Sequence, residues 1–212
     1  MAIRTLHTCS FHLDRQLARQ AEWLAKQKLL SGRKWVALND HKFPNSVNLE
    51  DLHDSFRDKV KGFLAALDEA GIQYSINSTK RNIHRAWVMH HAWRVAKAML
   101  APEQVPIHPK IPIIWDHDDQ QISVRAAKEM IGAGGFNMRY IASLTSHHVL
   151  GKAIDMSIYW TGEPTIRKKT GELITITSDP KTGMNPDLWA VGASYQVIKK
   201  QNDVPHWSID GK

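Results

Sequence analysis

Two short stretches of this chain hold the residue types that metal-assisted hydrolysis needs. The first is Ser146-His147-His148-Val149-Leu150-Gly151-Lys152-Ala153-Ile154-Asp155; the second is Asp203-Val204-Pro205-His206-Trp207-Ser208-Ile209. Two histidines and one carboxylate, His148, Asp155 and His206, can hold a zinc ion and leave its fourth position open, which separates catalytic zinc sites from closed structural ones. Zinc lowers the pKa of a water in that position toward about 7. A neighbouring carboxylate can take the water's proton as it attacks a carbonyl, and Asp203, three residues before a ligand, is placed to be that base.

These residues can meet only if particular elements carry them. His148 and Asp155 are seven positions apart, and a continuous helix would separate them by about 10 Å along its axis, too far for one ion. The chain must turn between them, and Gly151 supplies the freedom. From Lys152 to Tyr159 the pattern alternates, with Ala153, Asp155 and Ser157 on one face and Ile154, Met156 and Ile158 on the other. Asp155 is thereby expected on the polar face of a strand whose apolar face meets the core. The second stretch alternates likewise over Val204 to Ile209, with His206 and Ser208 sharing a face opposite Trp207 and Ile209.

Elsewhere the periodicity is mostly helical. A basic amphipathic helix is expected over 11–31, and 35–48 reads as irregular. Asn48 can cap a helix bearing the stripe Leu49, Leu52, Phe56, Val60, Phe63, Leu64 and Leu67, which Gly71 stops. A strand over 72–78, helices over 83–100 and 122–131, a hairpin turn at 168–171 and a helix over 186–199 complete the reading. Helices first and strands later imply an α+β fold: an antiparallel sheet bearing the zinc site, flanked by helices, with a helical N-terminal segment (1–70) packed on or preceding the domain that carries both motifs (71–212).

The pattern Ser-x-His-x-x-Gly-x-Ala-x-Asp at Ser146 to Asp155, followed by Asp-x-Pro-His at Asp203 to His206, resembles the hedgehog/DD-peptidase fold. It is similar in particular to the M15 zinc peptidases, which include phage L-alanyl-D-glutamate endolysins and D,D-carboxypeptidases. The resemblance covers roughly residues 72–210. It implies His148, Asp155 and His206 as zinc ligands, Asp203 as catalytic base and the peptidoglycan stem peptide as substrate. Many D,D-dipeptidase relatives carry Glu at the base position, so the Asp here points toward the L-alanyl-D-glutamate branch. It also implies a strand-end arginine facing the site, to hold a substrate carboxylate or the oxyanion. Ser78-Thr79-Lys80-Arg81 resembles that element without its usual Ser-Gly-Tyr-Arg form, which makes Arg81 the candidate, with Lys80 and Arg85 as alternatives. The Trp-Gly-Gly stretch common between the two motifs is absent, which bears on bond specificity.

Composition narrows the remaining choices. The 212 residues are 42% hydrophobic and 23% charged, ordinary for a globular chain, with a formal charge of +7. That charge suits polyanions, whether nucleic acid, anionic lipid or lipopolysaccharide, or an anionic cell envelope, without choosing among them. Arg15, Arg19, Lys26 and Lys28 of the first helix could meet such a surface or form the solvated face of a helix packed on the catalytic domain. No helix-turn-helix, zinc-finger spacing or aromatic-basic strand motif supports specific nucleic-acid binding. The single cysteine, Cys9, excludes an internal disulfide framework. No apolar run is long enough for a transmembrane anchor, and Met1 to His7 lacks the apolar core of a Sec signal. The expected product is made in the cytoplasm and reaches the periplasm or cell wall by a phage-type or secretion-system route. Two other functions stay open: a D,D-carboxypeptidase or dipeptidase of the same fold, and a non-catalytic zinc-bearing module that binds the cell wall. Ser146 is expected to orient a ligand, Asp116 to Asp119 to cap the helix at 122–131, and His90 and His91 to pack.

Overall fold

The stripe beginning at Leu49 folds as two pieces in the computed structural model, which describes residues 15, 18–20, 22, 25, 26 and 28–212. Asn48 accepts a hydrogen bond from the Glu50 amide and caps a single turn over Leu49–Asp51. A new start follows, capped by His53, and α2 runs over Asp54–Glu69. Leu52, Phe56, Val60, Phe63, Leu64 and Leu67 are buried, as the stripe requires. Gly71, in the left-handed region at φ 67°, ends the run.

The chain divides into two units, one formed by the described residues up to Lys42 with Trp87–Ala142, the other by Phe43–Ala86 with Ser143–Lys212. Helix α2, which lies within residues 1–70, supplies core to the second unit. The basic positions Arg15, Arg19, Lys26 and Lys28 of the expected first helix are helical and exposed. Cys9 and most of that helix's apolar positions lie outside the described residues.

The first unit contains α1 (Arg33–Asn39), most of α3 (Ile83–Ala96) and α4 (Gln120–Ile131). Helix α1 corrects the expectation of irregular chain after Trp35. It starts at Gly32 with no side-chain cap, so no start signal stands in the sequence, and burial of Trp35 and Val36 forms it. Asp119 caps α4, its Oδ1 accepting from the Ile122 amide at 2.8 Å, as the acidic turn implied. His91 is buried, with the Trp87 ring tilted against it at 4.4 Å between centroids.

In the second unit β1 (Gln73–Ser78), β2 (Ala153–Tyr159), β5 (Ile198–Lys199) and β6 (His206–Ser208) form one antiparallel sheet in the order β1-β2-β6-β5. A hairpin of β3 (Thr165–Arg167) and β4 (Leu173–Thr175) stands apart from it. The fold is α+β, with helices against an antiparallel sheet. Ile154, Met156, Ile158 and Trp207 turn their side of the sheet toward Phe56, Val60, Phe63 and Leu67 of α2 and toward Leu188 and Val191 of α5 (Pro186–Ser194). The Phe63 and Trp207 rings lie 5.3 Å apart. Helix α5 is shorter than its expected span of 186–199. Gln196 takes a left-handed conformation at φ 61°, and Ile198 and Lys199 pair instead with Ser208 and Trp207. Edge pairing outweighs the helical pattern there.

His91 gives the first unit a pH dependence. Burial pushes its pKa from the ordinary 6.5 down to about 4, with electrostatic repulsion from His90, Arg94 and His108 acting the same way. The ring is therefore neutral when folded, while the unfolded chain protonates it first as pH falls. Stability is expected to decline as pH drops from about 6.5 toward about 4. In His91→Phe that slope should be shallower, measured as urea unfolding free energies at successive pH values; an equal slope in both proteins would assign the acid sensitivity elsewhere.

Candidate metal centre

Strand pairing brings the two sequence motifs together. In the β2–β6 ladder Asp155 stands directly opposite His206, and directly opposed residues on one face of an antiparallel pair lie within side-chain reach. Trp207, between His206 and Ser208, points the other way and is fully buried in the core. One residue of slip would put His206 in the core and Trp207 at the site.

His148 arrives from a turn. Leu150 N donates to Ser146 O at 3.0 Å and Lys152 N to His147 O at 2.7 Å, folding the chain back before β2. Gly151 adopts φ 67°, and a Cβ there would lie 2.8 Å from the His53 nitrogen and 3.0 Å from the Asp51 oxygen. Only glycine fits, for conformation and for space. Ser146 serves this turn: its Oγ accepts from the Val149 amide at 3.4 Å, and the structure shows no bond from it to either ligand ring. His147 is directed to Asp210, its Nδ1 3.3 Å from Oδ1, which leaves His148 as the histidine beside Asp155.

Three atoms converge. His148 Nε2 lies 3.0 Å from His206 Nδ1 and 3.2 Å from Asp155 Oδ1, and His206 Nδ1 lies 3.4 Å from the same oxygen. Ligand atoms about 2.0–2.1 Å from a tetrahedral ion stand about 3.3 Å from one another, so one metal ion fits the triangle. Both histidines are buried. Burial acts to raise the Asp155 pKa, but hydrogen bonds from His148 and His206, and their charges, hold it well below the usual carboxylate range. The carboxylate stays ionised, as a metal ligand must.

The contacts around the triangle differ between the two rings. His206 Nε2 lies 2.9 Å from the Lys212 main-chain oxygen. With a metal ion in the triangle, a proton donated there would leave Nδ1 deprotonated with its lone pair toward the ion, the outer contact by which proteins fix a ligand's tautomer. Ser208 Oγ donates to the same oxygen at 3.2 Å. His148 Nδ1 is buried with no hydrogen-bond partner among the described residues.

Asp203 sits half-buried in the turn before β6, its amide donating to Lys200 O at 3.1 Å and its carbonyl accepting from His206 N at 3.2 Å. Arg81 follows β1, and its amide donates to His148 O at 3.0 Å, tying it to the ligand-bearing turn. Burial lowers the Arg81 pKa against the pull of Asp155, with Arg85 adding to the lowering, and its Nε has no partner among the described residues. A cavity of about 370 Å³ opens beside it, lined among others by Ser46, Lys80, Arg81 and His84. Lys80 is exposed there; Arg85 lies on α3.

One residue beside the centre carries no signal in the sequence. Lys199, at the end of β5, is buried beneath the Asp203 turn, with Nζ 5.7 Å from the Trp207 ring centre. Burial brings its pKa down to about 8 against the attraction of Asp203 and Asp155. An alternation of two residues is too short to tell a buried lysine from a solvated one.

Compared with known protein families and with curated proteins, the chain matches none.

The group is expected to take up one divalent metal ion per chain. With Zn²⁺ as the probe in a competition titration, His206→Ala and Asp155→Ala should each weaken binding at least about a hundredfold, and His147→Ala far less. Equal losses at His147 and His148 would refute the ligand assignment.

Proposed function

We propose that the chain is a zinc-dependent peptidoglycan endopeptidase that hydrolyses an amide bond of the stem peptide, with the L-alanyl-D-glutamate bond favoured. The observation that carries this reading is the convergence of His148 Nε2, Asp155 Oδ1 and His206 Nδ1 within 3.4 Å of one another. Two imidazoles and a carboxylate at tetrahedral spacing suit zinc. The resemblance of both motifs to M15 zinc peptidases supplies the substrate class.

Zinc held by these three residues would act as a Lewis acid toward water and the scissile carbonyl. The chain's own groups supply the rest. Asp203 takes the proton of the attacking water as the new C–O bond forms, and returns it to the amine nitrogen as the tetrahedral adduct collapses and the C–N bond breaks. Arg81, with Nε unpartnered among the described residues and its guanidinium partly withdrawn from water, offers donors for an anionic oxygen, and a desolvated cation acts more strongly than one in bulk solvent. The apolar side of β2 and β6 keeps the ligands from shifting, because Ile154 and Trp207 are locked in the core.

A second reading draws on the cavity beside Arg81. Lys80, Arg81 and His84 on its wall would equally receive the terminal carboxylate of a D,D-carboxypeptidase substrate. Mass spectrometry of fragments from meso-diaminopimelate peptidoglycan separates the two. New L-Ala and D-Glu termini support the endopeptidase, release of D-Ala supports the carboxypeptidase, and no cleavage by zinc-loaded protein leaves a binding module.

Asp203→Ala should lower kcat at least about a hundredfold while zinc affinity stays near wild type. Normal turnover in that variant would remove Asp203 as the base. Arg81→Lys should keep the charge but lose the paired donors, lowering kcat/KM about tenfold or more; wild-type kcat/KM would take Arg81 out of the site.

A further inference from the structure

We infer that Lys199 is a positioning residue whose ammonium closes the turn over residues 200–206 and so fixes Asp203 and His206 relative to each other. The inference rests on the metal reading of His148, Asp155 and His206 and on Asp203 as the base.

The geometry is a ring of carbonyls around one cation. Lys199 Nζ donates to Lys200 O at 2.7 Å, to Asp203 O and to His206 O at 3.1 Å, which uses all three donors of an ammonium. Each of those oxygens also accepts a main-chain amide. Lys200 O accepts from Asp203 N, Asp203 O from His206 N, and His206 O from Lys200 N. The turn is thus a closed cycle of three amide hydrogen bonds with the ammonium on its oxygen side. Without the cation, three carbonyl dipoles would face one buried point with nothing to offset their repulsion.

Energetics argue that the charge has a use. Burying an ammonium carries a large desolvation cost before compensation, and an apolar side chain over the Trp207 face would fill the same place at lower cost. A lysine there trades stability for a fixed turn. The residues at two corners of the cycle are the candidate base and a candidate ligand, whose separation must be held closely for proton transfer to succeed.

The test uses the full chain with Zn²⁺ as probe. In Lys199→Met, zinc Kd is expected to rise about 10–100-fold. Amide exchange at Asp203 and His206 should accelerate while that of Ile154 and Met156 stays unchanged. In Lys199→Ala, methylammonium should restore zinc affinity in a saturable manner, which a lost packing contact would not do. A folded Lys199→Met with wild-type Kd overturns the inference. So does faster exchange at Asp203 and His206 with Kd unchanged, which would make the lysine structural only. If Lys199→Met fails to fold, Lys199→Ala with and without methylammonium decides: recovery supports the role and no difference refutes it. A wild-type chain that takes up no zinc refutes the metal reading itself, an outcome distinct from wild-type and Lys199→Met chains binding zinc alike.

Discussion

Everything at the candidate centre depends on one register: Asp155 of β2 opposite His206 of β6. The register is enforced from the other side of the sheet, where Ile154, Met156 and Trp207 have no exposed surface to speak of. Because side chains alternate with a period of two, the core that holds Trp207 inward also holds His206 outward. His148, Asp155 and His206, the three residues that could hold a metal ion, are polar and could not choose this arrangement alone. Their placement is a by-product of hydrophobic burial, which contributes roughly 25 cal/mol per Å² of apolar surface removed from water.

The main chain completes what the side chains begin. Polar groups around the centre meet backbone oxygens more than they meet one another: His206 and Ser208 at Lys212, and Lys199 at Lys200, Asp203 and His206. The oxygens of Lys200, Asp203 and His206, each held by a main-chain amide, cannot rotate away as a side chain can. Partners of this kind hold a ring or an ammonium without adding rotamers that must be frozen. Arg81 follows the same pattern, anchored through its own amide to His148 O, so that one side of the candidate substrate site and one ligand move together.

What the sequence disclosed, and what it withheld, follows the range of the interactions concerned. Alternation in 152–159 and the glycine at 151 are local signals, and they place Asp155 on the polar face and a turn behind His148. The stripe of α2 is equally local. Helix α1 has no cap and only seven residues, Arg33–Asn39, so it depends on packing around Trp35 that no local pattern records. The overextension of α5 has a similar source. Gln196 enters the left-handed region without being glycine or asparagine, and β5 exists only because β6 is beside it. Ser146 looked like a partner for a ligand ring and instead holds the turn, since a serine hydroxyl bonds a nearby amide as readily as a distant ring. Lys199 shows the limit most plainly. Nothing in its neighbours says that three carbonyls surround it.

The sequence separation of the two histidines has a thermodynamic consequence. His148 and His206 are 58 residues apart, and their meeting requires the β2–β6 ladder, so the unfolded chain offers no comparable site. Any ion bound there is linked to folding: it stabilises the native state by RT ln(1 + [L]/Kd), about 2.7 kcal/mol at a hundredfold excess over Kd. Metal supply and the folded fraction of the second unit then become two readings of one equilibrium. Surroundings poor in the ion would hold a less stable population, and surroundings rich in it a more stable one.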